Sequence, residues 1–399
     1  MTSTHKEAPF ELVVSRERQS TDLLESPLRG GGHTVRSPVG EGDRLTVEES
    51  IESSRQVRLS PRERQVEPET TADEIKRKLT LDPVADTAER GGLHARLGVT
   101  SEQGARPENQ DGWILSDVFA GNAGVSFAAV LDGHGDDGRK VAHFVQETLP
   151  AHLAAQADLL TDPQGALLRA FSATQHDLIS GEHGFKTECS GATATCALIV
   201  GRMLYVANLG DSRTVLGYRP TSEGGADDGD SAPSNQPPTD DADAAIARLC
   251  ARALSADHKP DAQSERTRIE ASGGRVCPFA LRGKQCGPAR VWKLDEWSPG
   301  LAVSRSFGDT QAAEVGVTSE PEVSTVPIDA HCELLVLASD GVWDVMSNEE
   351  AVRVVARAAR GRSPEEASAE LVSAALAGLA SVRRKDNVTA LVVLFSGMT

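Results

Sequence analysis

The stretch FAAVLDGHGDD, Phe127 to Asp137, begins as an apolar run and ends in a carboxylate, a glycine, a histidine and a second glycine. Short apolar runs bounded by Gly and Asp are typical of buried β-strands. An aspartate at the end of such a strand is held rigidly by the sheet while it stays accessible to solvent. We therefore expect a buried strand that ends at a functional site.

The composition of the 399-residue chain limits what the protein can be. A hydrophobic content of 39% supports one large or two ordinary domains. The net charge of −18 argues against nucleic acid and anionic membranes as partners. The six cysteines form no CxxC pair and indicate reduced thiols, and no transmembrane run or signal-peptide core is visible. We expect an intracellular protein of the cytoplasm, the nucleus or both.

Two segments are too polar to belong to a packed core. Residues 1–92 contain a single aromatic residue, Phe10, and we predict a disordered N-terminal tail there. Residues 221–245 carry seven acidic residues and no basic one, which indicates a solvated acidic insertion in a loop. The folded domain is therefore expected to span residues 93–399.

Within that domain, short strands predominate over helices. Strand patterns cover residues 125–132, 192–200, 203–211, 213–218, 333–340 and 388–395. We interpret residues 192–218 as an antiparallel meander, because the connections are too short for parallel crossovers. Amphipathic helices are predicted at residues 138–155, 162–180 and 363–380. These patterns favour an α+β fold in which antiparallel sheets are sandwiched between helices.

Five aspartates lie beside these apolar segments: Asp111, Asp132, Asp211, Asp340 and Asp386. A single Asp-Gly pair is commonly a turn former, so the hypothesis depends on the recurrence of the pattern. Five clustered carboxylates repel one another unless cations are present. All-oxygen ligation points to Mg²⁺ or Mn²⁺, and Gly133 could add its backbone carbonyl as a ligand.

Two further side chains have both an ordinary and a functional interpretation. His134 is either a surface histidine near a helix start or, beside Asp132, a proton donor to a leaving oxygen. Arg106 is either a surface arginine or, five residues before Asp111, a bidentate ligand for phosphate.

Nine blocks of sequence carry a resemblance to a known family. They are RPENQD (106–111), VLDGHG (130–135), SGATA (190–194), ANLGDSR (207–213), LSADHKP (254–260), RIEASGGRV (268–276), PGLAVSRSFGD (299–309), LASDGVWDV (337–345) and KDNVTALVV (385–393). In this order they resemble the metal-dependent Ser/Thr protein phosphatases of type 2C, and most closely the plant or protist members. The resemblance implies a four-layer α-β-β-α sandwich of two antiparallel sheets, with a binuclear Mg²⁺ or Mn²⁺ site between them.

The resemblance also implies a role for each site residue. The implied metal ligands are Asp132, which bridges two ions, Gly133 through its carbonyl, Asp340 and Asp386, while Asp111 orients a water that the two ions activate. Asp211 and Asp344 match residues that hold a third, weaker metal in some relatives. Arg106 matches the phosphoryl-binding arginine, and His134 matches the general acid. The substrates implied are phosphoserine and phosphothreonine in phosphoproteins, and we expect a monomer.

One departure from the family pattern leaves an alternative open. Many relatives carry Glu where this chain has Gln110, and a neutral amide is a poorer ligand for the second metal. A catalytically inactive member that docks phosphoproteins is therefore the first competing hypothesis. A structural calcium-binding protein is the second, although no segment has the acidic spacing of an EF-hand loop. Trp292 and Trp297 are expected either to pack in a core or to shape docking near the cleft.

Overall fold

The computed structural model describes residues 93–220, 242–281 and 284–397. The predicted tail, residues 1–92, and residues 221–241 of the predicted acidic insertion lie outside the described residues. From Ala242 the chain forms a short helix that ends at Ala247. None of the described helices combines the length and the apolar character that crossing a membrane requires.

Two large antiparallel sheets form the centre of the fold. The first has the strand order β1 (His94–Glu102), β14 (Val388–Ser396), β13 (Cys332–Ala338), β6 (Arg213–Tyr218) and β7 (Cys250–Ala253). The second has the order β12 (Glu322–Pro327), β5 (Met203–Leu209), β4 (Gly191–Val200), β3 (Val125–His134) and β2 (Asp111–Ser116), and β11 (Phe307–Gly308) also pairs with β4. The six predicted strand segments all form strands.

Four long helices cover the outer faces of these sheets. α1 (Gly138–Ala154) and α2 (Pro163–Ser180) pack on the second sheet, and α7 (Asn348–Ala358) and α8 (Pro364–Ser381) pack on the first. The shorter helices are α3 (Ala242–Ala247), α4 (Gln263–Ala271), α5 (Thr310–Ala313) and α6 (Asp340–Trp343). The three helices predicted from the sequence correspond to α1, α2 and α8.

Strand β3 shows why the molecule has four layers. Phe127, Ala129 and Leu131 point into the core shared with α1 and α2, while Ala128 and Val130 point into the core between the sheets. Strand β14 alternates in the same way between the α7/α8 core and the central core. Because successive side chains of a strand point to opposite faces, a strand buried on both faces reads as a continuous apolar run. The predicted α-β-β-α sandwich is confirmed.

Local capping signals define where the predicted helices begin. The side chain of Asp162 accepts a hydrogen bond from the backbone N–H of Gly165 at 3.0 Å, and Pro163 is the first residue of α2. Ser363 and Glu366 form a capping box at the start of α8. Such caps satisfy backbone N–H groups that have no partner within the helix, so sequence alone identifies these helix starts.

The predicted meander is correct for two of its three strands. Strands β4 and β5 form a tight hairpin in which Val200 pairs with Met203. Strand β6 was wrongly placed, because it lies in the other sheet between β13 and β7. A tight turn between two apolar strands suits a hairpin and a crossing to a facing sheet equally well, so tertiary packing decides which forms.

A third, smaller sheet was not predicted. It contains β8 (Gly274–Leu281), β9 (Lys284–Lys293) and β10 (Pro299–Leu301), and it shares a small core with α4. Trp292 is buried there and donates its indole N–H to the carbonyl of Cys277 at 2.8 Å. Trp297 is 52% exposed, and the guanidinium of Arg275 lies 4.5 Å from its ring centroid. Trp292 therefore serves the core, and Trp297 lies at the surface.

Candidate metal centre and active site

The chain brings the five predicted aspartates to one end of the sandwich. Asp132, near the end of β3, pairs in register with Asp111 at the start of β2. Asp340 follows β13, Asp386 precedes β14, and Asp211 lies in the turn between β5 and β6. The charges of the other four all act on the carboxyl of Asp132, which shows that they share one region.

Three of these carboxylates form a tight group. One oxygen from each of Asp132, Asp211 and Asp340 lies within 4.8 Å of the other two. Asp386 was predicted to be a metal ligand together with Asp132 and Asp340, but it is not one of these three. Asp211, which the sequence placed among the five clustered aspartates and the resemblance assigned to a weaker third ion, is one of these three.

The electrostatics of the cluster are unfavourable for bare carboxylates. Burial raises the pKa of Asp132 well above its ordinary value, and the negative charges of Asp340 and Asp111 raise it further. Burial, followed by the charges of Asp211 and Asp386, likewise raises the pKa of Asp340. A cation placed among these oxygens removes both the repulsion and the desolvation cost.

Asp111 has one satisfied and one unsatisfied oxygen. Ser339 donates its hydroxyl to Oδ2 of Asp111 at 2.9 Å and accepts a hydrogen bond from the backbone N–H of Thr389. The other oxygen, Oδ1, is buried without a protein partner. Burial raises the pKa of Asp111 to about 7, although the neighbouring side chains of Thr389 and Ser339 act to lower it. Sequence reasoning missed Ser339, which precedes Asp340 and resembles an ordinary turn serine.

The donor set fits hard divalent cations. It consists of carboxylate oxygens with no cysteine or histidine ligand in the group, which suits Mg²⁺ or Mn²⁺ better than zinc or copper. The orphaned Oδ1 of Asp111 provides one more buried acceptor for a group that the protein itself does not supply.

Basic side chains contact three of the surrounding carboxylates. The pairs are Arg106 Nη2 with Asp386 Oδ1 at 2.8 Å, Arg384 Nη2 with Asp344 Oδ2 at 2.5 Å, and Lys259 Nζ with Asp211 Oδ2. The predicted phosphate-binding arginine thus lies beside a predicted metal ligand, and its side chain is 49% exposed. Lys259, within the quoted LSADHKP block, was not singled out from the sequence.

His134 is held by an aspartate that the sequence analysis did not select. Its Nε2 lies 2.6 Å from Oδ2 of Asp309. Burial lowers the pKa of His134, but the charge and hydrogen bond of Asp309 outweigh that effect and raise it overall. A usable signal was present, since Asp309 follows a glycine at the end of the short strand β11, as Asp211 follows Gly210 after β5.

Gly133 and Gln110 are packed against each other. A Cβ atom at Gly133 would lie 2.4 Å from the carbonyl oxygen of Gly138 and 2.6 Å from that of Gln110, so only glycine fits. The side-chain amide of Gln110 donates to the carbonyl oxygen of Gly135 at 2.9 Å. Gln110 therefore braces the loop that follows β3.

Asn387 fixes the loop that carries Arg106. Its side-chain N–H₂ donates to the carbonyl oxygens of Gln103 and Glu108, both at 2.9 Å, and its Oδ1 accepts from the backbone N–H of Gln110 at 2.9 Å. Sequence reasoning missed this role because the partners of Asn387 are almost 280 residues away.

Comparisons with known proteins agree with this geometry. Residues 95–381 match the family model described as protein phosphatase 2C. The chain is 38% identical over 283 residues to probable protein phosphatase 2C 64 of Oryza sativa subsp. japonica, which covers 69% of this chain and 59% of the relative. It is 35% identical over 286 residues to probable protein phosphatase 2C 48 of the same species, which covers 67% of this chain and 74% of the relative.

A solved structure shows the same fold. The crystal structure of serine-threonine phosphatase 2C from Toxoplasma gondii aligns with a TM-score of 0.62 at 22% identity, covering 75% of this chain and 94% of that one. With the family model matching well over half of the residues, the chain belongs to the protein phosphatase 2C family of metal-dependent serine/threonine protein phosphatases.

Proposed function

We propose that this chain hydrolyses phosphoserine and phosphothreonine in phosphoproteins with two Mg²⁺ or Mn²⁺ ions at the aspartate cluster. The observation that carries the proposal is the group formed by Asp132, Asp211 and Asp340, whose oxygens lie within 4.8 Å of one another. Lys259 contacts Asp211, so one positive side chain faces the three carboxylates. The repulsion among these three carboxylates is relieved only when more positive charge is added.

The family resemblance indicates which residues would hold each ion. Asp132, the carbonyl of Gly133, Asp340 and Asp386 would hold the two ions, and Asp211 and Asp344 would hold a third. When bound, the ions polarise the phosphoryl oxygens and activate a water for in-line attack at phosphorus. The unsatisfied Oδ1 of Asp111 would accept a hydrogen bond from a water and so orient it toward phosphorus.

Two side chains complete the proposed chemistry. Arg106 binds the phosphoryl group, because its half-exposed guanidinium donates to Asp386 through Nε and Nη2 and has further N–H groups to offer to oxygens in the cleft. His134 donates a proton to the departing Ser or Thr oxygen, because an alkoxide is a poor leaving group unless it is protonated. The side chain of His134 is 27% exposed, which leaves a path to the substrate.

The remaining expectations concern the context of the enzyme. A monomer is sufficient, because the described site is built from the side chains of one chain. All six cysteines are free, which supports a reducing compartment such as the cytoplasm or nucleus. The net charge of −18 favours protein substrates over nucleic acid.

The test is hydrolysis of a phosphothreonine peptide by the full chain with Mn²⁺, compared with Asp132→Asn and Asp340→Asn. We expect each variant to lose about 10³-fold or more in rate, because several kcal/mol of Lewis-acid stabilisation is removed at about tenfold per 1.4 kcal/mol. Chelation of the metal should abolish turnover. Asp158→Asn, which alters an exposed carboxylate paired with Arg169, should retain the wild-type rate.

Two results would count against the proposal. Metal-dependent turnover retained by both cluster variants would remove the cluster from the mechanism. Peptide binding without turnover by the wild-type chain would support the inactive docking protein that Gln110 favours.

A further inference from the structure

We propose that Asp309 is the positioning residue for His134, and that it directs the Nδ1 atom of the imidazole toward the leaving oxygen. The inference rests on the proposed function, because it assigns a partner to the proposed general acid. Asp309 is not one of the proposed metal ligands, and its carboxylate instead contacts His134.

The contact between the two side chains is short and shielded from water. Oδ2 of Asp309 lies 2.6 Å from Nε2 of His134 and also accepts the hydroxyl of Ser306 at 2.5 Å. Asp309 is 2% exposed and Ser306 is 1% exposed. Because the carboxylate of Asp309 is buried and accepts two short hydrogen bonds, it has little freedom to turn away from the imidazole of His134.

The backbone of Asp309 is fixed independently of the histidine. Its N–H donates to the carbonyl of Ser190 at 3.0 Å, and its own carbonyl accepts from the backbone N–H groups of Ala312 and Ala313, the last two residues of α5. Its φ of +46° lies in the left-handed region, which is uncommon for a residue other than glycine. Such a conformation persists where the surrounding contacts determine it, and it is often found at functional sites.

A glycine on the intervening strand lets the carboxylate reach the ring. Gly191 on β4 pairs with His134 of β3 on one side and with Gly308 of β11 on the other. A Cβ atom at Gly191 would lie 2.2 Å from Oδ2 of Asp309. The absence of a side chain at this position therefore creates the gap across which Asp309 contacts His134.

The contact decides which ring nitrogen serves the reaction. With Nε2–H donating to Asp309, Nδ1 is the nitrogen that remains to face the cleft. As water forms the new bond to phosphorus it releases a proton to solvent, and the electron pair of the breaking P–O bond passes to the Ser or Thr oxygen. That oxygen takes the proton from Nδ1, and the imidazole later regains a proton from solvent.

The first test compares two leaving groups in wild-type, Asp309→Asn and Asp309→Ala protein with Mn²⁺. The leaving oxygen of a phosphothreonine peptide must be protonated, whereas p-nitrophenyl phosphate releases a stable phenolate that depends far less on protonation. We expect kcat for the peptide to fall about tenfold or more and kcat for the aryl phosphate to change by less than about threefold. Glu314→Gln, beside α5 and paired with Lys293, should change neither rate. Equal losses on both substrates would mean that Asp309 is merely structural.

The second test asks whether Asp309 acts through His134. In a His134→Gln background, Asp309→Asn should cause no further loss of peptide turnover, because the partner is already absent. Losses that multiply in the double variant would overturn the assignment.

A third measurement does not depend on activity. Side-chain ¹⁵N spectra of histidine-labelled wild-type protein with saturating Mg²⁺, assigned by His134→Gln, should show a hydrogen-bonded proton on Nε2 of His134. A bare Nε2 would refute the pairing even if the wild-type chain hydrolysed neither substrate. Inactivity with a protonated Nε2 would instead count against the proposed phosphatase function alone.

Discussion

The molecule contains two groups of buried carboxylates that differ in how far basic side chains neutralise their negative charge. Glu265 on α4 is 2% exposed and accepts hydrogen bonds from Arg268, Arg305 and the hydroxyl of Ser304, at distances from 2.6 to 3.1 Å. The cluster around Asp132 brings three carboxylates within 4.8 Å of one another, and its basic partner is Lys259.

The difference separates a neutralised ion network from a cluster of carboxylates that could hold a metal ion. Burial by itself raises the pKa of Glu265, but hydrogen bonds from Arg305, Arg268 and Ser304 lower it well below its ordinary value. The pKa values of Asp132 and Asp340 move in the opposite direction, because burial and like charges act together. A network that neutralises itself holds the fold together, whereas one that does not is completed by a bound cation.

The largest expected effect comes from breaking the neutralised network. Glu265→Ala leaves Arg305 and Arg268 without their shared partner and should lower the free energy of unfolding by about 3–5 kcal/mol. Urea denaturation of the metal-loaded protein measures the loss. Glu270→Ala, on the same helix and paired with Arg266 in a more exposed position, should cost less than about 1 kcal/mol. Similar losses in both variants would remove the distinction between the two carboxylate groups.

In the metal-free protein, the free energy of unfolding should change with pH by a few kcal/mol, which is a smaller effect. Asp111, with a pKa raised to about 7, is easier to protonate in the folded chain than in the unfolded chain. The folded state therefore binds more protons, so this contribution is fully present below about pH 3.8 and is lost as the pH rises through about 7.

Thermal unfolding between pH 5 and 8, in chelator and in Mn²⁺, measures this contribution. The stability in chelator should fall as the pH rises, and Mn²⁺ should remove that fall by supplying the missing positive charge. Asp111→Asn should flatten the profile in chelator. A profile that is identical with and without Mn²⁺ would contradict the electrostatic description of the cluster.

The smallest expected effect concerns the lysine of the cluster. Lys259→Met removes the ammonium beside Asp211 and should destabilise the metal-free protein by about 1 kcal/mol, because the lysine side chain is partly exposed. The difference from wild type should disappear in Mn²⁺, where an ion replaces the lost charge. Lys140→Met, which breaks an exposed pair with Asp137, should give the same small change with and without metal. A loss for Lys259→Met that persists in Mn²⁺ would place its role outside the cluster.

The sequence predicted those features that depend on neighbouring residues. Apolar runs bounded by Gly and Asp located six of the strands, and the Asp162 and Ser363 caps located two helix starts. The recurrence of strand-end aspartates identified the residues that meet at one end of the sandwich. The placement of β6 failed, because its sequence suits either sheet.

Residues with partners far along the chain were missed. Asn387 contacts a loop about 280 residues away, and Asp309 reaches His134 across 175 residues of sequence. Neither has a local pattern that distinguishes it from a turn former, although Asp309 repeats the glycine–aspartate ending seen at Asp211. Glu265, the centre of the neutralised network, looks like an ordinary helix-surface acid in the sequence.

By itself, the sequence determined six of the strands, two of the helix starts, the family and the identity of the clustered acids, because hydrophobic periodicity, capping and motif order are local properties. Only the tertiary structure decided which carboxylates share counter-charges and which repel one another. That outcome depends on distances of a few ångströms between side chains from distant segments, and electrostatic energies change steeply over such distances in a shielded site.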